Sequence, residues 1–157
     1  MTDTYAQDNM FIEWLILADA AEVTNGKLYL LGGGFDRITI GSPLPHRKHI
    51  ALAVSINVPW AMCNERHQLT LDFVDEDGNQ QARVEGEFEV GRPPGATAGQ
   101  AQRMQVALQA EIEMKKFGVN TIVGAVDGEE SRRVVYRIVP KPELKQRMEQ
   151  DKRRKPD

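Results

Sequence analysis

The stretch Gly26-Lys-Leu-Tyr-Leu-Leu-Gly-Gly-Gly-Phe-Asp-Arg-Ile-Thr-Ile40 decides the fold of this chain. An apolar run meets three consecutive glycines, and then resumes with Ile38 and Ile40 at alternate positions. Because glycine lacks the Cβ atom that forbids unusual backbone angles, we predict two β-strands that join at a sharp bend or bulge. This pattern indicates a fold class and carries no chemistry of its own.

Short strand patterns extend on both sides of this stretch, and most alternate apolar and polar residues. We predict strands at residues 11–21, 27–31, 38–40, 49–58, 67–74, 81–90, 104–114, 119–126 and 133–139. Turn residues at 23–26, 75–79 and 127–128 close hairpins, and a loop at residues 91–99 crosses between sheets. About eight or nine short strands at this spacing, with almost no helix between them, indicate an all-β sandwich or barrel.

The ends of the chain differ from this body. Residues 1–10 are expected to be a flexible lead, residues 11–140 the β-sandwich domain, and residues 141–157 a basic tail that is helical or disordered. The tail holds seven Lys or Arg and four Asp or Glu, whereas the whole chain of 157 residues has a net charge of -3. Within the tail, Leu144 and Met148 could share one apolar helix face.

Composition narrows the class of protein. Cys63 is the only cysteine, so neither an internal disulfide nor a cysteine-cluster metal site is expected. The acidic start is unlike a signal peptide, and no apolar run is long enough to cross a bilayer. We therefore predict a cytoplasmic protein with no membrane association, and no cofactor.

Six fragments together resemble a known family. They are Ala18-Asp19-x-Ala21, Gly26-Lys27-Leu28, Gly32-Gly33-Gly34, Asp75-x-Asp77-Gly78, Gly91-Arg92-Pro93-Pro94 and Val126-Asp127-Gly128. Their order and spacing over residues 12–140 resemble a family of small bacterial proteins, common in actinobacteria, that is a domain of unknown function. The resemblance implies an antiparallel immunoglobulin-like β-sandwich, and it implies no activity.

The glycine bend suggests one candidate site. Asp19 stands in an otherwise apolar strand, where a buried carboxylate is costly unless it is paired. It could accept hydrogen bonds from the turn at Thr24 or Asn25, which we favour. Alternatively, Asp19, Asp36 and Arg37 could form a carboxylate site of a small-molecule or metal-dependent enzyme.

A second candidate is a calcium site. Asp75, Asp77 and Asn79 offer the hard oxygen ligands that calcium prefers, but Gly86 stands where an EF-hand loop requires its final glutamate. Asp-Gly is also a common hairpin turn, so we favour a turn and keep weak calcium binding as an alternative. His46, His49 and His67 lack metal-ligand spacing and are expected at the surface or in hydrogen bonds.

Two loops are candidate binding surfaces. Trp60 and Met62 follow Pro59 and could form an exposed contact patch or plug one end of the sandwich. Arg92, Pro93 and Pro94 could present a polyproline-like segment to a partner, although a stiff crossover is favoured. Cys63 is expected to be packed, and no catalytic motif occurs.

The last charged run is Lys152, Arg153, Arg154 and Lys155. Four charges without aromatic residues support no more than weak, salt-sensitive contacts with nucleic acid, so we expect a solvated tail. The leading hypothesis is therefore a non-enzymatic protein-binding or assembly module, with an unknown protein partner or self-association. The alternatives are the enzyme described above and a structural subunit of a larger, viral or phage, assembly.

Overall fold

The computed structural model describes residues 9–155, so most of the predicted lead at residues 1–10 and the last two residues of the predicted tail at 141–157 lie outside that range. Nine strands follow one another in the described part of the chain. They are β1 (Phe11–Thr24), β2 (Lys27–Gly33), β3 (Arg37–Ile40), β4 (His46–Val58), β5 (Arg66–Asp75), β6 (Gln80–Glu89), β7 (Gln102–Met114), β8 (Gly118–Val126) and β9 (Glu129–Pro140). A short 3₁₀ turn (Trp60–Met62) and one helix, α1 (Pro142–Arg154), complete the structure. The all-β prediction is confirmed.

The strands form two sheets. The four-stranded sheet has the order β2-β1-β4-β7, and the five-stranded sheet has the order β3-β9-β8-β5-β6. All pairs are antiparallel except β3 with β9, which run parallel from Arg37 opposite Arg137 to Ile40 opposite Pro140. The prediction of a wholly antiparallel arrangement is corrected in this one pair, because the short strand β3 follows the crossing from the first sheet and joins the open edge of β9.

The core lies between the sheets, and β4 is its centre. The even-numbered residues Ile50, Leu52, Val54, Ile56 and Val58 belong to the core and are fully buried, as the predicted alternation requires. Leu71, Phe73 and Ile122 come from the opposite sheet. Burial of a large aliphatic or aromatic side chain stabilises a fold by about 1.5–3 kcal/mol, so this shared layer holds the two sheets together.

The glycine run is where the chain leaves one sheet for the other. β2 belongs to the four-stranded sheet and β3 to the five-stranded sheet, and Gly32 and Gly34 have φ values of 63° and 84°. These backbone angles strongly favour glycine. The Gly34 amide donates to the Leu17 carbonyl at 2.8 Å, which holds the start of the crossing against β1. The predicted bend between two strands is confirmed.

The β1–β2 hairpin folds back over the outer face of the four-stranded sheet. β1 pairs with β4 only as far as Ala18, which lies opposite Ala51. Beyond that point, Gln109 of β7 donates to the Ala21 carbonyl at 3.0 Å, and Gln105 donates to the Gly26 carbonyl at 3.1 Å. In the register of β4 with β7 these glutamines share the face of Ala51 and Ser55, which is opposite the core.

β4 is buried on both faces. Ala51, Ala53 and Ser55 point away from the core and are nevertheless 0% exposed. Their small side chains leave room for the hairpin to lie close to the sheet. The first half of β1 therefore builds the sandwich, and its second half, with β2, forms a separate layer outside it.

The C-terminal helix is longer than predicted. The pattern favoured helix over residues 143–150, and α1 extends from Pro142 to Arg154. Leu144 is buried, but Met148 of the same face is 37% exposed. The helix is thus attached to the body mainly at its first turn.

Candidate interaction surfaces

The exposed apolar side chains are concentrated on β2. Leu31 is 72% exposed, Tyr29 is 56% exposed and Leu30 is 38% exposed. They stand on an edge strand of the four-stranded sheet, and within residues 9–155 no strand pairs with the second edge of β2. Soluble proteins usually protect such an edge with charges, proline or a bulge. β2 has one charged residue, Lys27, at its start. We call Leu28–Leu31, with this second edge, the hairpin edge.

The turn of the hairpin determines which backbone groups lie on that edge. Asn25 and Gly26 have φ values of 52° and 71°, as a tight two-residue turn requires, and Thr24 and Lys27 face each other across it. The residues that flank a two-residue turn exchange hydrogen bonds, and such pairs alternate along an antiparallel ladder. The amides and carbonyls of Tyr29 and Leu31 therefore face β1, whereas those of Leu28 and Leu30 point away from it.

Asp19 lies on β1, across from Gly32 at the end of β2, and it is exposed. The carboxylate lies against Gly32, since a Cβ atom on that glycine would come within 2.3 Å of Asp19 Oδ2. The expectation that Asp19 is held inside an apolar strand is wrong, because β1 leaves the core at Ala18. The favoured hydrogen bond from Thr24 is also not formed, since the Thr24 hydroxyl donates to Glu22 at 3.0 Å.

The other two members of the predicted carboxylate site are exposed as well. Asp36 precedes β3, where its carbonyl accepts from the Arg137 amide at 2.8 Å, and Arg37 begins β3. Neither side chain is enclosed by the fold. The three residues thus share the region of the sheet crossing, but this region offers no shelter from water.

The two loops that were predicted as binding surfaces meet at one end of the sandwich. The Arg92 guanidinium lies 4.4 Å from the centre of the Trp60 ring, and it donates to the Trp60 carbonyl at 2.7 Å. Pro93 and Pro94 are exposed, whereas Met62 packs against the core. Trp60 is half-buried, so Met62 closes the core as one alternative expected, whereas a contact role for Trp60 and Arg92 stays a prediction.

A buried histidine braces this loop end. His67 contacts the Asp127 carboxylate through Nδ1 at 2.7 Å and the Met62 carbonyl through Nε2 at 2.7 Å. Burial alone would lower the pKa of His67, but the Met62 carbonyl and the Asp127 and Glu65 carboxylates outweigh burial and raise that pKa above its ordinary value. In its charged form the ring donates to both partners. His67 therefore connects the 3₁₀ turn to the β8–β9 turn.

The predicted calcium residues organise a turn. Asp75 is buried, and its Oδ1 accepts from the amides of Asp77 and Asn79 at 2.9 Å each. Lys116 lies 3.4 Å from Oδ2 of Asp75 and also pairs with Asp77. Burial would raise the pKa of Asp75, but the two amides and Lys116 outweigh it and hold that pKa below its ordinary value.

The geometry of this turn therefore matches the favoured structural interpretation. The carboxylate oxygens that calcium would need already accept hydrogen bonds from the turn itself. Within residues 9–155, no group of three or more His, Cys, Asp or Glu side chains is arranged to hold a metal ion.

An apolar crevice lies beneath α1. It has a volume of about 460 Å³, and Leu44, Phe117, Leu144 and Met148 form its apolar wall, with Lys115 and Arg147 among its polar residues. Neither the carboxylates near the sheet crossing nor the loop residues Trp60 and Arg92 line it. Three of the four basic tail residues, Lys152 to Arg154, continue the same helix and are exposed.

No helix in the described part of the chain has the length and apolar character needed to span a membrane.

Sequence reasoning missed both the hairpin edge and the histidine brace. The run Leu28-Tyr-Leu-Leu31 is apolar at every position, which is typical of a strand buried on both faces as well as of one that is covered by a partner. His67 and Asp127 are 60 residues apart, and no short motif joins them. The signal that could have revealed the hairpin edge is that residues 28–31 do not alternate between apolar and polar, whereas most of the other strands do.

The family resemblance is confirmed. Residues 13–139 match the model of a family of unknown function (DUF6941), and the chain belongs to that family. No curated protein matches the chain. A solved structure of the Pseudomonas fluorescens alkylpurine DNA glycosylase AlkC, bound to DNA containing an abasic site analog, shares 12% identity with a TM-score of 0.42. That similarity covers 84% of this chain and 31% of that one, and it is too low to support a statement about function.

Proposed function

We propose that this member of the DUF6941 family is a non-enzymatic protein-binding or assembly module, and that the hairpin edge is its binding surface. The observation that carries the proposal is the exposed Tyr-Leu-Leu run on a strand with an open edge. Extended segments bind to such edges by adding a strand, with backbone hydrogen bonds for affinity and side chains for specificity.

The other candidate surfaces have less support. Trp60 already stacks with Arg92, which covers one face of its ring. Asp19, Asp36 and Arg37 are exposed to water, whereas an enzyme that perturbs carboxylates usually removes them from it. The loop end around Trp60, Arg92, Pro93 and Pro94 is retained as a secondary contact surface.

We further propose that the two sheets form an immunoglobulin-like sandwich. In such domains strand B lies beside strand E in one sheet, and strands C, F and G follow one another in the other sheet. Here β4 lies beside β7, and β5, β8 and β9 follow one another in the same way. β6 then takes the place of strand C′. The hairpin of β2 with the second half of β1 has no counterpart in that scheme, so it is an addition to the sandwich.

A cytoplasmic location is part of the same proposal. The lone Cys63 thiol is buried and free, which suits a compartment where thiols stay reduced. Cell fractionation followed by immunodetection tests this location. Recovery in an extracellular or envelope fraction would contradict it.

The test of function compares two surface substitutions in affinity purification from the native cell. Leu31→Lys places a charge on the hairpin edge, whereas Val135→Lys changes a side chain in the other sheet, on β9, that is 52% exposed and lies opposite Thr121 of β8. We expect Leu31→Lys to lose proteins that co-purify with the wild type and Val135→Lys to keep them. Equal recovery with both variants would contradict the proposed surface.

A further inference from the structure

The crevice beneath α1 has two apolar walls that come from different parts of the fold. Leu44 and Phe117 form the wall on the body of the protein, and both pack against the core. Leu144 and Met148 form the wall on α1. The crevice volume of about 460 Å³ lies in the lower part of the range of roughly 300–1,000 Å³ that is usual for small-molecule sites.

The wall on α1 is fixed at one end. The Lys141 amide donates to the Ile40 carbonyl at 2.8 Å, and Leu144 is buried. One helical turn further, Met148 lines the crevice but is 37% exposed. A ligand with an apolar part would remove the Met148 side chain from water and hold the later turns of α1 against the body.

The cationic side chains of the crevice differ in what they contact. Lys116 pairs with Asp75 and Asp77. In the described part of the chain, no ion pair or side-chain hydrogen bond engages Lys115 or Arg147. Lys115 lies on the connection between β7 and β8, whereas Arg147 lies on α1. An anionic group that enters the crevice would therefore meet an unpaired cation on each wall.

The charge balance of the crevice favours an anion. Asp151, one turn beyond Arg147 on α1, is the one carboxylate among the lining residues, and it forms no ion pair with Arg147. Even when the paired Lys116 is left out, two cations stand against this carboxylate. A guanidinium also binds a carboxylate well, since its parallel N–H groups match the two oxygens.

We propose that the crevice beneath α1 binds a small apolar monocarboxylate, a molecule with an aliphatic chain or ring and one carboxylate group. The apolar part would lie between Phe117 and Met148, and the carboxylate would accept hydrogen bonds from Lys115 and Arg147. This site is separate from the hairpin edge, so the inference goes beyond the proposed function. An acidic peptide segment of a partner protein is the competing occupant.

An NMR titration of the full-length protein tests the ligand class. Decanoate is the probe, at neutral pH and below the concentration at which it forms micelles. Decanol has the same chain without the charge, and decylammonium has the opposite charge. We expect saturable shifts of the amide signals of residues 115–117 and 144–148 with decanoate. Decanol should bind about tenfold more weakly, because it cannot form charge-assisted hydrogen bonds, and decylammonium more weakly still.

Substitution of the two cations tests their role. Lys115→Gln combined with Arg147→Gln should weaken decanoate binding about tenfold and leave decanol binding unchanged. Lys145→Gln is the matched control, because Lys145 is an exposed cation of the same helix that does not line the crevice, and it should change neither affinity. A variant that displaced α1 would instead weaken the binding of both probes.

The outcomes separate this inference from its competitors. The absence of saturable shifts, equal affinity for decanoate and decanol, or shifts centred on the hairpin edge would each overturn the carboxylate site. If decanoate does not bind, and the variant without the two cations loses a co-purifying protein, the occupant is a protein and the small-molecule site is also overturned. None of these results bears on the hairpin edge, which Leu31→Lys tests independently.

Discussion

Strands β4 and β2 belong to the same sheet and are both rich in apolar residues, but they have opposite environments. Every residue of β4 from Ile50 to Ile56 is 0% exposed, since it has a neighbour on each edge, the core on one face and the hairpin on the other. β2 has one neighbour, and its Leu31 is 72% exposed. The fold accounts for the apolar character of β4, whereas Tyr29 and Leu31 of β2 stay exposed within residues 9–155.

The largest expected effect tests this contrast through truncation. Leu52→Ala in β4 should lower the free energy of unfolding by about 2–5 kcal/mol, because it leaves a cavity in a packed core. Leu31→Ala in β2 should change it by no more than about 0.5 kcal/mol, as at other exposed positions. Urea denaturation at a concentration below that of any association measures both. Equal losses would mean that β2 is part of the core.

A smaller effect on stability is expected at Gly32, near the end of β2. This residue has a positive φ, and it also contacts the Asp19 side chain. Gly32→Ala should cost about 1–2 kcal/mol, because an alanine is strained at a φ of 63° and its Cβ would collide with Asp19. Gly86→Ala in β6 is the control: it meets no atom within 4 Å and should be neutral or stabilise by up to about 1 kcal/mol. Thermal melting compares the two, and an unaffected Gly32→Ala would contradict the strained geometry.

The smallest expected effect is a pH dependence of stability that arises at the loop end, at His67, and not in β4 or β2. The raised pKa of His67 means that its charged form stabilises the folded state, so this contribution is complete below its unfolded pKa of about 6.5. It is lost as the pH rises through the folded pKa. Asp127→Asn should reduce the fall in the free energy of unfolding with rising pH, and Leu31→Lys should leave that fall unchanged. Urea denaturation between pH 5.5 and 8.5 measures the slopes, and equal slopes for Asp127→Asn and wild type would contradict the brace.

Much of the fold could be predicted because alternation shows which face of a strand carries the large apolar side chains of the core. Ile50 to Val58 and Leu69 to Phe73 alternate along strands that face one core, and turn residues such as Asp127-Gly128 mark the hairpins. The parallel pairing of β3 with β9 could not be predicted, since β3 has four residues and its partner lies about a hundred residues further along the chain.

The candidate site was less predictable, for a different physical reason. Periodicity shows which side chains avoid water, but not what covers them. An apolar run such as Tyr29-Leu30-Leu31 is compatible with cover by a strand of the same chain and with cover by a strand of another chain. The sequence alone does not distinguish the two. Asp19 appeared buried because its neighbours are apolar, and only the departure of β1 from β4 after Ala18 places it in water.

The position of the glycine crossing has a consequence for how relatives of this protein could diversify. Ala18 and Gly33 lie opposite each other, so the intervening fourteen residues begin and end at adjacent points of the sheet, about 5 Å apart. The outer face of β4 carries only small side chains there, two alanines and a serine. A hairpin of different length or composition could be grafted between these points while the sandwich folds as before, which would make partner choice an exchangeable trait.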